Sequence, residues 1–258
     1  MRKIKFDTCI VGTGKAGIDF SAKLAQKYDL PTESKSCQIG VRFECPQKYF
    51  QKLIDVSYDF KLYQKFDNVS LRSFCTNNNA AYVAVEETYG DISYNGHAKK
   101  GEEFRNDMTN FGILMEIKGI ENPFEWSRKV VELCQGNEGG IYYSPNNFRT
   151  PSKTSEHIDI KCTTAIPNIT LDRFKFAFGE YADYIINFID QMNKVFEFGD
   201  DWGMYIPEVK YLSPEPLVDY NNLALVDYPN VHFVGDALSA RGITVSGAQG
   251  IYVAESLL

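Results

Sequence analysis

No apolar run in this sequence approaches the roughly 20 residues of a membrane-spanning helix. Histidine occurs only three times, at 97, 157 and 232, and the six cysteines at 9, 37, 45, 75, 134 and 162 include no CxxC pair. That scarcity excludes the short-spaced zinc and dithiol motifs. It leaves the cysteines as reduced, mostly structural thiols, as expected in the cytoplasm. Positive charge is also short: 27 Lys and Arg face 34 Asp and Glu, a net charge of −7. This argues against an extended nucleic-acid surface. No repeat or low-complexity tract is present. The opening Met-Arg-Lys-Ile-Lys-Phe-Asp is too short and too polar for a signal peptide. The expectation is a cytoplasmic protein with no membrane or nucleic-acid partner.

What the sequence has in quantity is aromatics and glycine turns, with 16 Tyr and 18 Phe. The most informative stretch is residues 230–237, Asn-Val-His-Phe-Val-Gly-Asp-Ala, followed by Arg241, Gly242, Ile243, Thr244 and a small-residue run. It reads as a strand, a Gly-Asp turn, a glycine-rich loop and a helix. A carboxylate there accepts hydrogen bonds from sugar hydroxyls, and glycine lets the backbone come close to a ligand. The following helix N-terminus offers free N–H groups to phosphate or an electron-rich ring. An ordinary strand–loop–helix of an α/β core has the same local pattern. Asp236 separates the two readings best, because a carboxylate ending a buried strand needs partners.

Earlier in the chain, residues 5–11 read as a strand, and Gly12, Gly14 and Gly17 turn it into a helix reaching Tyr28. Residues 38–45 form a strand ended by Pro46, and a short helix follows to Val56. Strands are predicted at 70–75, 80–87, 91–94 and 111–118, with a turn at 89–91, and a helix at 122–134. Residues 136–167 read as a long excursion with little regular structure. From Leu171 to Val195 an apolar stripe predicts one helix closed by Gly199. Residues 205–211 are expected to be extended.

Gly12, Gly14 and Gly17 match the GxGxxG of a dinucleotide site. That site needs an acidic residue about 20 positions on, ending a second strand. Glu33 stands at that distance, but in a polar, Pro-containing loop. An NAD(P)-binding domain built on these glycines therefore stays an alternative. The other reading is a tight strand-to-helix crossing that touches a cofactor from its far side.

Several segments together resemble one family. They are Ile10 to Gly14 with Gly17 and Asp19, residues 38–46 (Gln-Ile-Gly-Val-Arg-Phe-Glu-Cys-Pro), Arg72 to Cys75, and Tyr82 with Val83. Next come residues 94–97 (Tyr-Asn-Gly-His), 207–210 (Pro-Glu-Val-Lys), and Val234 to Ala237 with Arg241 to Ile243. In this order they are similar to the later part of the uncharacterised FAD-dependent dehydrogenases, or NAD(FAD)-utilising dehydrogenases, of the two-dinucleotide-binding-domain flavoprotein superfamily. The resemblance implies an α/β fold. Residues 1–37 and 206–258 would form a partial, Rossmann-like FAD-binding domain, and 38–205 an inserted α+β substrate domain. It also implies FAD as cofactor, with NAD(P)H as a candidate electron donor or acceptor. Gly12 and Gly14 would lie near the cofactor, and Gly235 and Asp236 near its ribityl–pyrophosphate region. Arg241, Gly242, Ile243 and Thr244 would lie beside the isoalloxazine.

Two departures stand out. The family's N-terminal FAD-binding βαβ unit has no counterpart here, and Ala80-Ala81, after the run Asn77-Asn78-Asn79, replaces a glycine pair. The implied function is FAD-dependent oxidoreduction by a fragment or by one half of a split flavoprotein whose partner chain supplies that unit. A non-catalytic subunit is the further alternative. Small residues 246–250 would let the last helix pack closely on its sheet.

Other candidates carry two readings each. Arg42 could bind an anionic substrate or pair with a neighbour such as Glu44. Asn95 could touch substrate. His97 is the candidate acid–base group, against a solvent-facing imidazole in a hairpin turn. Cys75 reads as a redox thiol or a buried small apolar residue. Glu208 and Lys210 could face a cleft or pair with each other, and residues 153–161 could touch a partner.

Overall fold

The computed structural model describes residues 6–13, 18–33, 36–88, 90–136, 139–145, 170–210, 214–238 and 242–258. The fold is mixed α/β, with several sheets and helices. The chain divides into two compact units: Met1–Lys35 with Asn122–Phe124 and Tyr211–Leu258, and Ser36–Glu121 with Glu125–Lys210.

The first unit begins with β1 (Cys9–Thr13), α1 (Ile18–Tyr28) and the two-residue β2 (Thr32–Glu33). The second unit then runs through β3 (Cys37–Pro46), α2 (Gln51–Ile54), β4 (Tyr63–Lys65), β5 (Val69–Asn78), β6 (Ala81–Thr88), β7 (Asp91–Ala98) and β8 (Met108–Ile117). It continues with α3 (Pro123–Gln135), whose first two residues are counted with the first unit, β9 (Ile141–Tyr143), α4 (Leu171–Phe178), α5 (Ala182–Phe196) and β10 (Gly203–Lys210). The first unit closes with β11 (Glu215–Pro216), β12 (Val218–Asp219), β13 (Ala224–Leu225), β14 (Tyr228–Gly235) and α6 (Ile243–Ser256).

Six strands of the second unit form an antiparallel sheet in the order β4-β5-β8-β3-β10-β9. β3 is central and buried on both faces. Its odd positions Ile39, Val41, Phe43 and Cys45 are fully buried on one side. There Phe43 meets Phe111, Phe198 and Trp202 at ring-centroid distances of 5.1, 5.4 and 5.7 Å. Phe50 continues the cluster, contacting Phe60 at 5.6 Å and Phe196 of α5 at 4.4 Å. Such ring pairs contribute roughly 0.5–1.5 kcal/mol each beyond their area burial. The even positions of β3, Arg42 and Glu44, are equally buried, and β7 of the β6–β7 hairpin packs near them.

In the first unit, β1 pairs parallel with β14, and β13 and β12 extend the sheet antiparallel in the order β1-β14-β13-β12. Its core is Leu223, Leu225, Phe233, Val234, Leu238 and Val253, with Val11, Leu24 and Val231 packed against it.

Several expectations change. The helix expected over 171–195 is two helices. Gly179, at φ +58°, ends α4, and a 3-10 turn over Gly179–Tyr181 leads into α5. The stripe survives the break because both helices bury one side: Phe174 and Phe178, then Ile185, Phe188, Ile189 and Met192. The left-handed residue that closes α5 is Glu197, and Gly199 is held just beyond it by two hydrogen bonds with Asn193. The boundary expected at 205/206 falls inside β10, which pairs with β3 from Gly203 to Lys210 and so belongs to the second unit. The supposed irregular excursion contains β9, which pairs with β10. Most of the rest of that excursion, with residues 153–161, lies outside the described residues.

Candidate functional site

Two places gather the candidate residues, one in each unit. In the first unit, the parallel register runs from Cys9↔Val231 to Thr13↔Gly235. Thr13 and Gly235 therefore stand side by side at the C-terminal end of adjacent strands, where open α/β sheets bind ligands. Gly235 is buried at φ +87°, and its N–H donates to Gln249 Oε1 of α6 at 2.8 Å. Asp236 follows in a short 3-10 turn, half-buried. Its carboxylate makes no hydrogen bond or ion pair among the described residues. Gly242, at φ +96°, precedes α6, whose N-terminus carries no side-chain cap, and a β-carbon on Gly242 would meet nothing within 4 Å. Ile243 and Thr244 are exposed in the first turn. Gly14, Gly17 and Arg241 lie outside the described residues, and Gly12 is exposed on β1.

The small residues of α6 do not make the close contact expected of them. β-carbons on Gly247 and Gly250 would meet nothing within 4 Å, so these glycines face open space. Val253 is the buried residue of α6, while Ile243, Val245, Ile251 and Tyr252 are exposed.

The dinucleotide alternative needs a βαβ unit, with the strand after α1 joining the sheet of β1. Here β2 instead pairs antiparallel with β11 in a separate two-stranded sheet. Glu33 opposes Glu215 there and ends no neighbour of β1.

The second place is a buried polar cluster on the even face of β3. The strand register dictates it: Phe74, Gly112, Arg42 and Tyr205 form one row across four strands, and Asn77, Asn110 and Glu44 form the next. Gly112 gives the Phe74 ring and Glu208 their space, and Gly96 of β7 does the same for Asn110, Asn77 and Arg42. Arg42 is fully buried. Its Nη2 donates to Glu208 Oε1 at 2.6 Å and to Asn95 Oδ1 at 2.8 Å, and its Nη1 to the Cys75 carbonyl at 2.9 Å. Asn95 Nδ2 passes the chain on to Glu86 Oε1 at 2.8 Å. The Cys75 carbonyl belongs to an irregular step of β5 where Cys75 has φ +51°. Asn77 Nδ2 donates to that carbonyl and to Asn110 Oδ1.

Burial pushes the Glu208 carboxyl up to about 7; the Arg42 guanidinium pulls the other way, and Glu86 adds to the rise. Arg42 Nε, Glu208 Oε2 and Asn110 Nδ2 find no partner among the described residues. Leaving such groups unmade costs about 1–3 kcal/mol each.

The cluster brings the two substrate candidates, Arg42 and Asn95, into direct contact but closes them inward. Both guanidinium NH₂ groups are engaged by the protein itself, so Arg42 braces strands here. Its partner is Glu208, not Glu44; Glu44 instead accepts from Tyr205 Oη at 3.2 Å. Glu208 does not face a cleft, and Lys210 lies over the Phe74 ring at 5.0 Å.

His97 lies within β7 opposite Tyr82, not in a hairpin turn, because the β6–β7 ladder runs on to Ala81↔Ala98. The ring stacks on Tyr82 at 5.6 Å and makes no hydrogen bond among the described residues. Cys75 is exposed rather than buried. Asn77, Asn110 and Glu86 were not anticipated as cluster members; the run Asn77-Asn78-Asn79 was the available signal. Asn78 ties β5 to Thr109 and Tyr58, and Asn79, at φ +67°, accepts from Gln47.

Among the described residues no group of three or more His, Cys, Asp or Glu could hold a metal ion, and no helix is long and apolar enough to cross a membrane. Comparison with protein-family models and with curated proteins found no match.

Proposed function

We propose that the first unit binds part of a flavin dinucleotide and that the chain acts in FAD-dependent oxidoreduction, with NAD(P)H the candidate electron donor or acceptor. The observation that carries this reading is the in-register pair Thr13↔Gly235, which sets the end of β1 beside the Gly235 turn at the C-terminal end of parallel strands. The residues fit the group. Asp236 offers a carboxylate with no partner among the described residues to ribityl or ribose hydroxyls. The uncapped N-terminus of α6 offers N–H groups and the positive end of the helix dipole to phosphate or the ring. Gln249 fixes the turn that carries Asp236. When bound, the flavin supplies the hydride or electron-pair chemistry; these side chains bind and orient it. His97 remains the candidate acid–base group of this reading.

The same reading includes a partner that supplies a further FAD-binding unit. Fourteen of the nineteen large hydrophobic side chains exposed among the described residues belong to the first unit, including Phe6, Ile10, Ile243 and Ile251. These side chains are candidates for the face that such a partner would cover. The pairing of β2 away from β1 supports the flavin reading over an NAD(P) site built on Gly12, Gly14 and Gly17.

The test is the visible spectrum of the purified chain after addition of FAD and desalting, with FAD and NADH fluorescence titrations alongside. Retained or saturable FAD binding that Asp236→Ala abolishes supports the proposal. NADH binding without FAD binding, or FAD binding indifferent to Asp236→Ala, overturns it.

A further inference from the structure

An apolar pocket of about 250 Å³ lies in the first unit, between α1 and one face of the β1–β14 pair. Leu225 and Phe233 form its buried floor. Half-buried Val11, Leu24, Leu30 and Val231 form the walls, and the exposed Cys9, Tyr28 and Tyr228 stand at the rim. The β1 and β14 residues involved start from the pair Cys9↔Val231, and the helical ones come from the second half of α1. The pocket therefore runs from the N-terminal end of the strand pair to its middle, Val11↔Phe233, and stops short of Thr13 and Gly235.

None of the lining residues is Asp, Glu, Lys, Arg or His. A charged ligand would lose its hydration there without compensation. Water gains little in such a space, and apolar cavities of about 150 Å³ take up benzene or xenon. A cavity of about 250 Å³ is larger than that, and just below the roughly 300–1,000 Å³ of drug-sized sites. The size fits one ring or two fused rings.

We propose that this pocket is a second binding site, independent of the flavin reading, for a small uncharged aromatic or alicyclic ring compound. Cys9 at the rim gives a local reporter, and exposed Cys75 in the other unit gives an internal reference. The test titrates indole into the intact chain, followed by ligand-observed NMR and by mass-spectrometric mapping of iodoacetamide labelling. Saturating indole is expected to slow labelling at Cys9 several-fold while Cys75 is unchanged. Leu24→Phe, which fills the pocket from α1, is expected to weaken indole binding at least about tenfold, with the circular dichroism of the chain preserved. Indole-3-carboxylate, the charged analogue, is expected to bind more weakly than indole. An unchanged ratio of Cys9 to Cys75 labelling at high indole overturns the proposal even if the Leu24→Phe chain fails to fold. So does carboxylate binding as tight as that of indole.

Discussion

Glu208→Gln tests the electrostatics of the buried cluster with one atom exchanged. Glutamine keeps the shape and the oxygen that accepts from Arg42 Nη2, but has no proton to lose. In the folded chain burial raises the Glu208 carboxyl from 4.5 to about 7 against the pull of Arg42. Between those values the native state holds a proton that the unfolded state has released. The stability from Glu208 is therefore fully present below about pH 4.5 and is lost as pH rises through about 7. At 1.36 kcal/mol for each pH unit the loss is roughly 3 kcal/mol. The Gln chain lacks this slope. It is expected to exceed the wild type by about 1 kcal/mol at pH 5 and by roughly 3 kcal/mol at pH 8. The assay is urea unfolding at pH 5, 6, 7 and 8, followed by tryptophan fluorescence. Both tryptophans report on the second unit: Trp202 stacks on Phe43, and Trp126 stands edge-on to Tyr181. The difference between the two chains at each pH removes the other titrating groups. The opposite result, a Gln chain about 3–5 kcal/mol less stable than wild type at pH 8, would mean that Arg42's attraction outweighs the burial of Glu208.

Arg42→Met removes the donor to Glu208, Asn95 and the Cys75 carbonyl together, and is expected to cost about 3–5 kcal/mol in the same urea assay. Gly96→Ala drives a methyl group into Asn110, Asn77 and Arg42 and is expected to cost about 1–3 kcal/mol, seen as a lower thermal midpoint. Asn193→Ala deletes both hydrogen bonds to Gly199 behind α5, an exposed contact; a loss of about 1 kcal/mol in urea unfolding is expected.

Much of the fold was legible because local pattern and burial agree. β3 could be read from its alternation and Pro46, and the buried faces of α4 and α5 from their shared stripe. That stripe hid the break at Gly179, since side-chain periodicity carries no information on a single positive φ. Asn95-Gly96 resembled a turn by composition, yet Gly96 stands in a strand because its missing β-carbon makes room for three polar side chains. The burial of Arg42 was not legible at all. Its partners Glu208 and Asn95 are 166 and 53 positions away, and only the strand order brings them together. At the chain ends the glycine turns could be seen individually. The adjacency of Thr13 and Gly235 follows from a parallel pairing that no local pattern encodes.

That pairing has a consequence for the order of events during synthesis. Asn230 reaches back to the Asp7 carbonyl across 223 positions, and β14 is the strand that pairs with β1 among the described residues. On the ribosome, β1 and α1 emerge first and wait for their neighbour while the entire six-stranded sheet is made. The second unit has all its strands in hand once β10 has emerged and can fold before the last segment appears. Its folding then shortens the effective loop that β14 must close to reach β1. Until then β1 lacks the strand that pairs with it among the described residues.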